Sequence, residues 1–265
     1  VRIAAYLEKI HALKIIHMDI NPANIVWCPH LDLIKIIDFG ISTELSPEIE
    51  FVNPSALEGT LAYISPEQTG RMNRPIDYRS DLYSLGVTFY ELFTGKMPFL
   101  EEDPPALIHA HIAVIPKEAS RINKSLPEAV SQIISKLMAK DADERYQSAA
   151  GVRHDLQYCM DQLAETADIG FFKIASHDVS TVFKVPQKLY FRDQECNKLI
   201  NTFEEVCKSG GCRMTLVAGH SGIGKSVFVG EIVKYVIEKR AFFISGKFGE
   251  MEQSMPHAVI IQAFN

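Results

Sequence analysis

One stretch, IHMDINPANIVWCPHLDLIKIIDFG at residues 16–40, restricts what this chain can fold into more than any other. Asp19 and Asp38 flank an amide, Asn24, and the second carboxylate opens an Asp-Phe-Gly turn. Ile25-Val26-Trp27 and Leu33–Ile37 are β-branched or apolar runs, and Pro29-His30-Leu31-Asp32 between them has turn composition. A small hairpin is therefore expected. It sets Asn24 just before one strand and Asp38 just after the other, so oxygen-bearing side chains as much as nineteen residues apart are brought together.

Each residue type in this pattern has a chemical reason. Phosphoryl transfer needs metal ions to neutralise phosphate oxygens, and hard Mg²⁺ prefers carboxylate and amide oxygens. Asn24 and Asp38 suit that task, while Asp19 suits orientation of an acceptor hydroxyl and acceptance of its proton. Phe39 is expected to pack under the site, and Gly40 to permit the sharp turn. His17 is expected to brace the loop from the core. Any one of these residues alone is an ordinary turn or core residue; the joint pattern HxDxxPxN, hairpin, DFG is far more specific.

Residues 16–160 resemble the C-terminal lobe of a eukaryotic-type Ser/Thr protein kinase. After DFG comes a Ser-, Glu- and Pro-rich segment, 41–58, and then GTLAYISPE, 59–67, which resembles the GT…APE end of an activation segment with Ser65 in place of Ala. DLYSLG (81–86) resembles the DxWSxG helix start, with Tyr83 for Trp, and LFTGKMPF (92–99) the LxxGxxPF that follows. KDADERYQSA (140–149) resembles the late Arg motif. The resemblance implies that Glu67 and Arg145 pair, that Asp81 braces the catalytic-loop backbone, and that Thr60 helps to position Asp19 for a Ser/Thr acceptor. Two departures stand out. Met18 replaces the Arg that receives an activation-loop phosphate, so control by phosphorylation there is not expected. Asn21 stands where such kinases carry a Lys that contacts the γ-phosphate; an amide can donate a hydrogen bond there but brings no charge. The Gly-rich loop, strand Lys and helix Glu of the small lobe lie upstream in the family, and only fifteen residues precede this stretch. The chain therefore reads as half an ATP site, inactive by itself.

Apolar spacing predicts helices over 2–14, within 126–140, and over 147–164. Residues 165–187 lose periodicity and read as an interdomain linker, with Phe171, Phe172 and Phe183 suggesting that it docks on a surface. A second domain, 188–265, begins with a helix carrying Leu199, Ile200, Phe203 and Val206. Met214–Val217 reads as a short buried strand running into GHSGIGKS at 219–226. That matches GxxxxGK[ST] between a strand and a helix: backbone N–H groups of Gly219, His220, Ser221, Gly222, Ile223 and Gly224 would cradle phosphates, Lys225 would reach the β/γ oxygens, and Ser226 would hold Mg²⁺. One helix over Lys225–Lys239 and a second strand at 241–245 are expected to follow. The segment resembles the start of the AAA/STAND-type P-loop ATPase modules of signalling proteins. YFRDQE (190–195) resembles their YGRExE box, with Phe191 in place of its Gly. No Walker B carboxylate is recognised, so hydrolysis by these residues alone is not expected.

The expected architecture is thus a mainly α kinase C-lobe of α+β type over 1–164, followed by an incomplete α/β P-loop NTPase domain. The order kinase, linker, ATPase resembles large multidomain sensor kinases, mostly bacterial, in which sensor and histidine-kinase domains usually follow. The expected function is ATP- and Mg²⁺-dependent phosphoryl transfer to Ser/Thr hydroxyls of a protein substrate, fused to a regulatory ATPase. A pseudokinase scaffold switched by the ATPase, or an ATPase alone, are the rival readings. Composition narrows the rest. Net charge is −6 without a basic block, which argues against a nucleic-acid partner. The apolar runs are too short to span a bilayer. Five cysteines form no CxxC pair, which fits reduced thiols in a cytoplasm.

Overall fold

A computed structural model describes residues 1–44, 61–71, 74–166, 168–179, 192–220, 223–230, 232–239, 241 and 243–244. The chain divides into two compact units, Val1–Gln187 and Lys188–Asn265. In the first, α1 (Arg2–Ala12) leads to β1 (Ile15–Ile16), the hairpin β2 (Ile25–Cys28) and β3 (Leu33–Ile36), and β4 (Thr43–Glu44). Then come α2 (Tyr78–Thr94), α3 (Pro104–Ala113), α4 (Ala119–Ile122), α5 (Glu128–Leu137) and α6 (Ala149–Thr166). β2 pairs antiparallel with β3, Ile25 opposite Ile36 and Cys28 opposite Leu33. β1 pairs antiparallel with β4, Ile15 opposite Glu44. Helix-rich architecture with little sheet thus agrees with the expected class for this unit.

Helix α2 is the centre of the core. Asp77 caps its start by accepting from the Arg79 amide, and Gly95, at φ +67°, ends it in the left-handed conformation. Leu82, Tyr83, Leu85, Val87, Phe89 and Tyr90 are all buried, so the helix is enclosed on every side up to its last turn, where Leu92 and Phe93 are exposed. Helix α5 presents Val130, Ile133, Ile134 and Leu137 to it, a helical stripe worth about 1.5–3 kcal/mol per buried side chain. A Cβ on Gly86 would come within 2.7 Å of Leu137 Cβ, so this close approach requires glycine. α1 packs on α6 through Ala4 and Leu7; it ends before Lys14, whose φ of +59° cannot continue a helix.

A buried ion pair joins distant parts of this core. Arg145, 1% exposed, donates from both terminal nitrogens to Glu67, at 2.7 and 2.9 Å. It also donates to the carbonyls of Ala139, Arg79 and Lys140, and Ser80 donates to Glu67 Oε1. Burial pushes the Glu67 carboxyl up, but the Arg145 charge and the bonds from Arg145 and Ser80 outweigh it and hold the group below the ordinary carboxylate range.

The segment after α6 is docked. Phe172 lies against Tyr158, ring centroids 4.5 Å apart, and Ile169, Ile174 and Ala175 pack on the core. The Ala175 amide donates to Asp155 Oδ2, which also accepts from the Tyr146 hydroxyl. Asp178 accepts from the Gln147 amide and the Ser148 hydroxyl, and Ser148 Oγ in turn accepts from the Gly151 amide at the start of α6. Phe171, by contrast, is 97% exposed, and Phe183 lies outside the described residues.

The second unit contains α7 (Asp193–Ser209), α8 (Lys225–Gly230) and α9 (Val233–Glu238), and among its described residues no strand. The expected strand at Met214–Val217 is not formed: Met214 and Leu216 are 93% and 84% exposed, and no described segment takes up their backbone bonds. An apolar β-branched run becomes a strand only when a neighbour completes its ladder. The second expected strand, 241–245, shows none at its described positions. The single helix expected over 225–239 is two segments among the described residues, α8 ending at Gly230 and α9 beginning at Val233.

Two outcomes follow. Glu67 has a lowered folded-state pKa, so its stabilisation is complete above the ordinary carboxylate range near pH 4.3 and fades as pH falls through the folded value. Glu67→Gln, which leaves the Arg145 charge unpaired, should cost about 3–5 kcal/mol and flatten that acid limb, read by denaturant melts across pH. Asp178→Ala should cost about 1–2 kcal/mol by weakening the start of α6, read the same way.

Candidate active site

The loop between β1 and β2 is shaped by backbone that its own residues disfavour. Met18 sits at φ +68°, a left-handed conformation costing a non-glycine residue roughly 1–2 kcal/mol. Asp81, fully buried at the first turn of α2, offsets that cost. Its Oδ1 accepts from the Met18 amide at 2.7 Å, and its Oδ2 from the His17 amide at 2.9 Å and His11 Nε2 at 2.8 Å. Bonds to a carboxylate are worth about 1.5–3 kcal/mol each, so the bent backbone is the favoured one. The Met18 side chain, 3% exposed, packs with Ile16 and Ile76.

His17 is fully buried and spans the site from beneath. Its Nε2 donates to the Ile37 carbonyl at 3.1 Å, and its Nδ1 accepts from the Asp19 amide at 3.3 Å, which together assign the Nε2–H tautomer. The ring of Phe39 lies 4.7 Å from it. Phe39 nonetheless stays 44% exposed, so it covers His17 on one face rather than packing fully under the site; no other described ring encloses it.

Asp19 is gripped by two amides. Asn21 Nδ2 donates to its Oδ1 at 2.7 Å, and Asn24 Nδ2 to its Oδ2 at 2.9 Å and its carbonyl at 2.9 Å. Asn21 Oδ1 accepts from the amides of Ala23 and Asn24, capping the short 3-10 turn over Pro22–Asn24. That turn delivers Asn24 to the start of β2. The carbonyl of Asn24 accepts from the Ile37 amide at 2.9 Å, so the chain entering Asp38 is bonded to the chain leaving Asn24. Asp38, at φ +65°, accepts from the Gly40 amide; a Cβ on Gly40 would lie 3.1 Å from Asp38 Oδ1. The hairpin thus joins Asp19, Asn24 and Asp38 through one chain of bonds.

This donor set suits a hard cation. With Nδ2 of Asn24 committed to Asp19, its Oδ1 points away from that bond, and Asp38, one residue beyond the Ile37 amide that bonds the Asn24 carbonyl, is exposed. Among the described residues no three His, Cys, Asp or Glu side chains converge on one point. One carboxylate and one amide oxygen are what Mg²⁺ takes when phosphate and water complete its shell.

Several contributors lay outside the sequence reading. Gln68, 1% exposed, donates to the Met18 carbonyl and accepts from Ser65, tying the SPE turn to the back of the loop. Ser65, noted only as a departure from Ala, therefore has a partner that explains it. His11 reaches Asp81 across seventy residues, which no local spacing reveals. His111 on α3 is fully buried against Tyr83 and Phe99; burial and the nearby Lys140 push its pKa down to about 3. Thr60 lies outside the described residues.

In the second unit, Lys225 Nζ donates to the carbonyls of Gly219 and His220, both at 2.8 Å, so its ammonium lies over the loop. Gly224 has φ +86°, and a Cβ on Gly219 would meet Ile223 at 3.0 Å; both positions favour glycine. Ser221, Gly222 and the Ser226 side chain lie outside the described set. An open groove of about 440 Å³ borders this region, lined among others by Arg192, Lys198, Thr202 and Phe228.

Residues 1–157 match the protein kinase domain family, and residues 188–265 the AAA ATPase domain family. Hybrid signal transduction histidine kinase G of Dictyostelium discoideum is 38% identical over 226 residues, covering 78% of this chain and 6% of that protein. Serine/threonine-protein kinase PknB of Mycolicibacterium smegmatis is 38% identical over 147 residues, covering 55% of this chain and 23% of that protein. Serine/threonine-protein kinase PrkC of Bacillus subtilis is 35% identical over 162 residues, covering 60% and 24%. The chain spans from about one sixteenth to one quarter of the length of these curated relatives. With the Asp19–Asn24–Asp38 loop and the Glu67–Arg145 pair in the first unit and a GxxxxGKS loop in the second, the chain belongs to the protein kinase domain family, joined to an AAA ATPase domain.

Proposed function

We propose that the protein carrying this chain transfers the γ-phosphoryl group of ATP to Ser or Thr hydroxyls of a protein substrate. The observation that carries the reading is the grip of Asn21 and Asn24 on Asp19, within a hairpin that also delivers Asp38. Asp19 orients the acceptor hydroxyl and takes its proton, and Asn24 and Asp38 hold Mg²⁺–ATP. Thr60 and Asn21 position the acceptor and the base, and His17, Phe39, Gly40, Glu67, Asp81 and Arg145 are architectural. Bound Mg²⁺ would supply charge neutralisation on the phosphate oxygens.

The kinase C-lobe occupies 1–164, a connector 165–187, and the first part of an AAA/STAND-type ATPase 188–265. The loop Gly219 to Ser226 binds nucleotide phosphates, with Ser226 on Mg²⁺, and the ATPase regulates the kinase. The name of the Dictyostelium relative supports a signal-transduction role with histidine-kinase and sensor domains further along the same polypeptide. A cytoplasmic location is supported by five cysteines that form no disulfide, and no helix among the described residues is long and apolar enough to cross a membrane. One observation favours the pseudokinase scaffold instead: the Asn21 amide brings no positive charge to the phosphate side.

Phosphate transfer from labelled ATP by the full-length protein separates the readings. Asp19→Ala should lower Ser/Thr phosphorylation by on the order of 10²–10⁴-fold. Lys225→Ala should remove nucleotide binding by the second domain and leave Asp19-dependent chemistry in place. Transfer that survives Asp19→Ala would overturn the kinase reading.

A further inference from the structure

Asn21 occupies a position where a lysine would do two things, hold the catalytic carboxylate and face the phosphate. The geometry separates these tasks. Asn21 is 8% exposed and its amide is fully committed. Its Nδ2 donates to Asp19 Oδ1 at 2.7 Å and to the Asp19 carbonyl at 3.4 Å, and the oxygen accepts from the Ala23 amide at 2.9 Å and the Asn24 amide at 3.2 Å. An amide has two donors and two acceptor lone pairs, so little capacity is left for a phosphate oxygen.

We infer that Asn21 is a positioning residue that couples Asp19 to Asn24, and that it makes no contact with the transferred phosphate. Its oxygen fixes the backbone of Asn24, and its nitrogen fixes one oxygen of Asp19. The Asn24 side chain closes the ring on the other Asp19 oxygen at 2.9 Å. The base and the amide oxygen beside the metal position are thereby held as one rigid unit, by uncharged groups alone. A misplacement of about 1 Å at such a pair costs rate rather than affinity. The inference rests on the kinase reading and refines the role of one residue within it.

Two variants of the full-length protein test it, Asn21→Ala and Asn21→Asp. Asn21→Asp keeps the acceptor that caps the turn but replaces the donor to Asp19 by a second carboxylate. We expect both to lower kcat for peptide phosphorylation by about 10–100-fold, with KM for ATP unchanged within about twofold. Side-chain ¹H–¹⁵N NMR should show the Asn24 carboxamide protected from solvent exchange in the wild type and released in both variants, without any turnover being measured. Wild-type kcat in Asn21→Asp would reduce Asn21 to a turn cap and overturn the inference, as would a rise in KM for ATP at constant kcat. Thermal melts of both variants separate a shift in chemistry from loss of fold. If wild-type transfer survives Asp19→Ala, the kinase reading itself fails, and the carboxamide exchange still reports whether Asn21 holds Asn24 to Asp19.

Discussion

The carboxylate of Asp81 is the point on which the site depends. It is fully buried, and its bonds to the amides of His17 and Met18 hold a backbone conformation that Met18 would otherwise avoid. From that bend follow the direction of Asp19, the reach of His17 to Ile37, and the entry of the chain into the 3-10 turn. Asp81 can do this because α2 is itself enclosed on all sides up to its last turn, capped at Asp77 and pressed against α5 through Gly86. A loop of strained backbone is thus held by the rigidity of the central core helix.

A second line of support runs from the other side. Arg145 joins the loop after α5 to Glu67, and Gln68, the next residue, reaches the Met18 carbonyl. The buried ion pair and the catalytic loop are therefore separated by one short turn. Removing either charge would unsettle more than its partner, since an unpaired charge in this core has no water to turn to.

Much of this was legible in the residues. The hairpin, the Asp-Phe-Gly turn, the helices α1, α5 and α6 and the apolar stripe on α5 all follow from local composition and periodicity. The pairing of Glu67 with Arg145 came from resemblance, not from spacing, because nothing local links positions seventy-eight apart. Gln68 and His11 escaped notice for the same reason: their partners are brought close only by the packed core. The second unit was read less well. Met214–Val217 has the composition of a strand but no described neighbour to bond with, and the helix that apolar spacing carries through 225–239 stops at Gly230 and resumes at Val233.

The cluster of Met18, Ile16 and Ile76 carries a last consequence. Where a guanidinium and a phosphate would anchor this bend, the contact here is apolar. An ionic anchor weakens as salt is added, whereas apolar contact weakens on cooling and is nearly indifferent to moderate salt. At the Met18 side chain the loop is thus fastened by an apolar contact that acts beside the Asp81 bonds and whose strength is set by temperature rather than by ionic strength.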